Sequence, residues 1–158
     1  MAPLTGVFFD TSILVAGMVD LGESSVTAIA ILDAVAEGRI AAPSTSWHNC
    51  LEFFSVTTRL PEEYRLPPEV ALRFVREEIL ARFSVHDLEP ASRERFLLSA
   101  VADGVAGGRI YDAHIAEIAR TSGAGIVVTE SRRHFLSLLA EEVRVLSAAE
   151  LAREVRPG

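Results

Sequence analysis

Two short stretches of this chain, LTGVFF at residues 4–9 and GIVVT at residues 125–129, each hold an unbroken run of apolar β-branched or aromatic residues. A strand with one wet face would alternate polar and apolar positions. These runs do not, so each reads as a short strand buried on both faces. Shorter strand signals follow at residues 39–42, 82–86 and 143–146. Between them lie helical patterns. The first starts at Ser12. Others run from Ser24 or Ser25 to Glu37, from Trp47 to about Arg59, and over 69–80, 90–105 and 109–122. A short helix is expected at 135–140, and Ser147 is placed to cap a last one. Strands alternating with helices predict an α/β fold, with a parallel sheet covered on both faces. No linker or composition shift divides the chain, so one domain over residues 1–158 is expected.

Composition narrows the function classes. Of 158 residues, 49% are hydrophobic, yet no stretch is long and apolar enough to span a bilayer. The first ten residues lack the basic region and apolar core of a signal peptide, so a soluble cytoplasmic protein is expected. Cys50 is the single cysteine, which excludes an internal disulfide and a thiolate metal cage. The formal net charge of −7 argues against nucleic-acid binding by general positive charge, though not against local binding. All 15 basic residues are Arg. Without Lys there is no phosphate-loop nucleotide hydrolase, no Schiff-base chemistry and no phosphoreceiver. No GxGxxG is present, and Ser12 stands where a DxDxT phosphatase needs its second Asp. His48, His86, His114 and His134 show no HExxH-like spacing, and Trp47 and the Phe residues read as core or dimer surface.

Three acids stand out because they sit inside apolar patterns. Asp10 ends the first strand, followed by Thr11 and Ser12. It is open to two readings, the N-cap of the next helix or a functional group at the C-terminal edge of the sheet. Glu52 lies in CLEFF, a helical stretch apolar nearly all round, with His48 as its nearest candidate partner. Asp112 precedes Ile115, Ala116 and Ala119 on an apolar stripe, where the alternative is stabilisation of the helix dipole. Carboxylates in such places need a partner or a cation. An all-carboxylate set suits a hard ion, Mg²⁺ or Mn²⁺, rather than zinc.

The pieces FFDTSILVA, STSWHNCLEFFSVTTR, GGRIYDAHIAEIAR and GAGIVVTESRRHF, in this order, resemble the PIN domain, and more closely the VapC-type toxin ribonucleases. The resemblance implies a five-stranded sheet in the order 3-2-1-4-5, with Asp10 beside the end of the fourth strand. It also implies Mg²⁺-dependent RNA cleavage by a homodimer restrained by a cognate antitoxin protein. On this resemblance Asp10 and Asp112 are metal ligands, and Glu52 orients the attacking water or holds a second ion. Thr11, Ser12 and Thr129 are hydroxyls that fix the carboxylates. The family expects a fourth acidic or amide residue two places after Thr129, where this chain has Ser131. Either Glu130 substitutes, or Ser131 serves as a neutral water ligand, or the second metal position is weak. Arg109, Arg132 and Arg133 are candidates for the RNA backbone, since Arg suits bidentate phosphate contacts, with solvated surface as the other reading. A PIN domain with another RNA-processing role, or a catalytically weak binding module, remains the alternative.

Overall fold

The structure, a computed structural model, describes residues 2–157. Its centre is a sheet of five strands, β1 Val7–Phe9, β2 Ser44–Ser46, β3 Ser84–His86, β4 Ile126–Val128 and β5 Arg144–Leu146. They run in the order β3-β2-β1-β4-β5 and every pairing is parallel, as expected. Phe8 stands opposite Ser44 on one side and Val127 on the other. The connecting helices are α1 Thr11–Met18, α2 Val26–Ala36, α3 Trp47–Thr57, α4 Pro68–Phe74, α5 Arg93–Ala102, α6 Arg109–Thr121, α7 Arg132–Leu136 and α8 Ala148–Glu154.

The period-2 geometry of a strand explains why the central runs are apolar throughout. Val7, Phe9, Val128 and Leu146 face one core, shared with Ile13 of α1, Ile31 of α2, Phe53 of α3 and Leu151 of α8. Phe8, Val127 and Val145 face the other, shared with Ile115 and Ile118 of α6 and Phe135 of α7. Burial on both faces leaves only the strand ends free to present polar groups.

Several elements differ from expectation. The second strand lies at Ser44–Ser46, not at residues 39–42. Ala42 adopts a left-handed φ of 50°, which turns the chain ahead of Pro43. Upstream of it only Ile40 pairs, through an isolated bridge to Leu4. The strand is polar but buried because its hydroxyls find backbone partners. Ser44 Oγ donates to the Val7 carbonyl (3.4 Å) and Thr45 Oγ1 to the Phe9 carbonyl (2.8 Å). Ser46 then caps α3 by accepting the Asn49 N–H. The helix expected over 69–80 is α4 continued by a π-helical stretch, Val75–Leu80. The one expected over 90–105 is a 3-10 turn, Pro90–Ser92, followed by α5. The short helix expected at 135–140 lies earlier, at α7. Ser147 does cap α8, through a full capping box with Glu150.

The five-residue α7 has one buried side chain, Phe135. Truncating it removes the contact that docks α7 on the sheet. Phe135→Ala is expected to cost about 3–5 kcal/mol, read in urea unfolding as a lower midpoint at an unchanged slope.

Candidate active site

The end of β1 meets the end of β4. The Asp10 N–H donates to the Val128 carbonyl, and the Thr129 side chain lies against Asp10. Asp10 occupies the N-cap position of α1, yet its carboxylate makes no capping hydrogen bond. Its oxygens are used otherwise. Oδ2 accepts from Thr129 Oγ1 (2.7 Å) and Ser12 Oγ (3.2 Å), and Oδ1 accepts from Asn49 Nδ2 (3.3 Å). The acid is only 6% exposed. Burial raises its pKa above the ordinary carboxylate value, against the lowering effect of Thr129, the Thr11 backbone and Ser12. The charge on Asp112 adds to the rise.

Asn49 did not stand out in the sequence, though it is fully buried at the centre of the site. Its spacing was the available signal: three residues after a capping Ser and three before Glu52, on one helical face. Ser46 Oγ donates to Asn49 Oδ1 (2.5 Å), which turns the amide nitrogen toward Asp10 and Thr11. Nδ2 then donates to Thr11 Oγ1 (2.9 Å), and Thr11 Oγ1 donates to Glu52 Oε1 (2.9 Å). Asp10 and Glu52 are thereby joined through one amide and one hydroxyl. Glu52 takes its partner from Thr11 rather than from His48. Its pKa is raised first by burial, then by the charges on Asp10 and Asp112, against the lowering effect of the Thr11 bond. Asp112 lies in the first turn of α6, with His134 Nδ1 3.5 Å from its Oδ2.

Glu130 and Ser131 take different places. The Glu130 N–H donates to Ser12 Oγ, which supports Asp10, but its carboxylate turns to α8, where Oε1 accepts the Ala148 N–H (2.9 Å). The Ser131 N–H donates to Thr129 Oγ1. Arg132 is paired with Glu150 at 2.9 Å, and Arg109 and Arg133 are exposed. Trp47 is 45% exposed and is not a core residue.

The PIN domain family matches residues 7–137 of the chain. This chain belongs to the PIN domain family. PIN domains are generally metal-dependent nucleases. Among solved structures, this PIN domain is similar to PAE2754 from Pyrobaculum aerophilum, with a TM-score of 0.62 at 18% identity, over 98% of this chain and 96% of that one. It is also similar to FitAcB from Neisseria gonorrhoeae, with a TM-score of 0.59 at 18% identity, over 90% and 98% of the two chains. FitAB bound to the IR36 DNA fragment matches with a TM-score of 0.60 at 15% identity, over 90% and 94%. No curated protein matches it. Among the described residues no helix is long and apolar enough to cross a membrane.

The donor chemistry of this PIN domain suits a hard cation. The charge on Asp112 disfavours ionised Asp10, those on Asp10 and Asp112 disfavour ionised Glu52, and no Arg is ion-paired with either among the described residues. The acids are not gathered into a closed cage: among the described residues no three His, Cys, Asp or Glu side chains converge as a metal-holding group. Protein partners set their rotamers instead, Thr11 for Glu52 and Thr129, Ser12 and Asn49 for Asp10.

A raised folded-state pKa has a defined sign in stability. Below the ordinary Asp value of 3.8 the group is neutral folded and unfolded, and burial costs little. As pH rises above it, the unfolded chain releases the proton more readily, and the folded state loses stability. Asp10→Asn cannot ionise. The melting-temperature difference is therefore expected to move in favour of Asp10→Asn as pH rises from about 4 to 7 in metal-free buffer. Each kcal/mol should appear as about 2–4 °C. A difference independent of pH would show that Asp10 carries no burial penalty.

Proposed function

We propose that this chain is a Mg²⁺-dependent endoribonuclease, with Mn²⁺ as a substitute ion, and that it acts as the toxin of a toxin–antitoxin pair. The observation that carries the reading is the buried Asp10. It is charge-coupled to Asp112 and Glu52, sits at the edge where β1 and β4 meet, and among the described residues has no cationic side chain paired with it. Family membership supports a phosphodiester as the bond acted on. RNA as substrate, a homodimer, a cognate antitoxin partner and a cytoplasmic location belong to the same proposal and rest on the VapC-like motifs. FitAB, a neighbour in fold, was solved on a DNA fragment, so nucleic acid enters the reading from that side too.

In this reading Asp10 and Asp112 hold the ion directly. When bound, it supplies an acidified water and neutralises charge at the phosphorus. Glu52, its pKa raised by burial, would orient the attacking water and accept its proton through the oxygen that Thr11 leaves free. Thr129, Ser12 and Asn49 keep Asp10 in one rotamer, and Thr11 keeps Glu52 in place. Ser131 supports Thr129 through its backbone N–H. Arg109 and Arg133 are the exposed guanidinium groups free to meet backbone phosphates, and Arg132 joins them by exchanging its Glu150 partner. Glu130, engaged at Ala148, is assigned to holding α8 rather than to the ion. That same displacement favours a second reading, a PIN domain with weak cleavage that acts mainly in binding or in RNA maturation.

Total RNA incubated with Mg²⁺ should be degraded by the wild type, and degradation should stop in chelator. Asp10→Asn should lower the rate by at least ~100-fold, the scale of losing one preorganised charge at a reacting centre. Equal degradation by both proteins rejects the metallonuclease. Co-expression with the adjacent open reading frame tests the toxin: no growth defect alone and no complex together count against it.

Glu130→Ala separates the two placements of the fourth acid. It should cost about 1 kcal/mol of stability, as loss of a helix-terminal partner does, and leave the cleavage rate unchanged in a single-turnover assay. A loss of rate comparable to that of Asp10→Asn would return Glu130 to the ion.

A further inference from the structure

A concavity of about 420 Å³ opens beside the acids, with Trp47, His48, Glu52, Asp87, Tyr111 and His114 in its wall. That size lies within the roughly 300–1,000 Å³ of small-ligand pockets. Because Glu52 is shared, pocket and active site are continuous. Two large aromatic residues stand open in it, Trp47 at 45% and Tyr111 at 60% exposure. Tyr111 is also braced. The His48 ring meets it edge-to-face at 5.8 Å and 78°, and His48 Nδ1 lies 2.8 Å from His114 Nδ1. His114 in turn lies against Phe96, with ring centroids 5.6 Å apart. The contact between the two ring nitrogens requires one to carry a hydrogen and the other a lone pair, so the rings are not both cationic.

Charge decides what such a pocket accepts. The acidic side chains in its wall are Glu52 and Asp87, and no Arg lines it among the described residues. A phosphate would be repelled. A nucleobase is neutral, offers a π-face to Trp47 and Tyr111, and can carry an amino group. A carboxylate such as Asp87 accepts from that amino edge.

We infer that this pocket binds the nucleobase adjoining the scissile phosphate, stacked on Trp47 and Tyr111, with Asp87 accepting from its exocyclic amine. The inference rests on the nuclease reading and adds a source of base preference to it. Adenine and cytosine are held over uracil. The backbone phosphate stays outside the pocket, on the side of Asp10 and Asp112, where the proposed cation would offset their charge.

Trp47 is the only tryptophan, so its fluorescence reports on the pocket alone. The probes are uncharged adenosine, cytidine and uridine, with ribose as control, in metal-free buffer. Adenosine and cytidine should quench Trp47 more strongly than uridine, and ribose should not quench it. Tyr111→Ala, at a position 60% exposed and in a variant whose thermal melt remains cooperative, should weaken quenching roughly fivefold to a hundredfold. Asp87→Asn should narrow the gap between cytidine and uridine. Equal quenching by ribose, or unchanged affinity in Tyr111→Ala, would overturn the inference. Quenching by an N-acetyl-arginine amide but by no nucleoside would also overturn it and assign the pocket to a protein side chain. RNA cleavage in Mg²⁺ with no nucleoside quenching would overturn the pocket and leave the nuclease standing. Equal cleavage by wild type and Asp10→Asn would instead reject the nuclease, whatever the nucleosides do.

Discussion

A carboxylate held out of water at the junction of β1 and β4 is the constraint on which the site depends. Asp10 is buried with three side-chain hydrogen bonds and, among the described residues, no ion-pair partner. Each of those bonds comes from a different part of the chain: Thr129 after β4, Ser12 in α1 and Asn49 in α3. The parallel order β2-β1-β4 brings those parts together at one sheet edge. The two apolar cores fix that order, because they bury both faces of the central strands and leave only the strand ends for polar groups.

Much of the fold was legible because its central strands are buried on both sides. VFF and IVV could not be accommodated otherwise, and the alternation with helices followed. The second strand was misplaced for the opposite reason. Ser44, Thr45 and Ser46 carry no apolar signature, and their burial depends on accepting carbonyls in β1 and a partner in α3, which no local pattern reveals. The left-handed Ala42 was equally silent, since nothing in its side chain calls for that geometry.

In the site, acids in apolar company were readable individually, because a carboxylate on an apolar stripe needs an explanation wherever it is found. Asp10 proved to be no cap despite its position. Asn49 was hidden because a neutral amide in a helix raises no such alarm, and its role appears only when α3 is set against β1. The direction taken by Glu130 could be read neither way, since the turn after β4 decides it and α8, far along the chain, supplies the partner.

The hydrogen bonds from Ser46 through Asn49 and Thr11 to Glu52 all point the same way, each group donating to the next. Such a chain is polarised, and its members strengthen one another. Its far end is a carboxylate, so the accumulated dipole is aimed at negative charge. The arrangement therefore has a sense as well as a shape. Asn49→Asp would preserve every volume and reverse the polarity, setting one acceptor oxygen, in place of Nδ2, against both Asp10 and Thr11. The active site thus depends on where the protons of a neutral amide lie, as much as on where the acids stand.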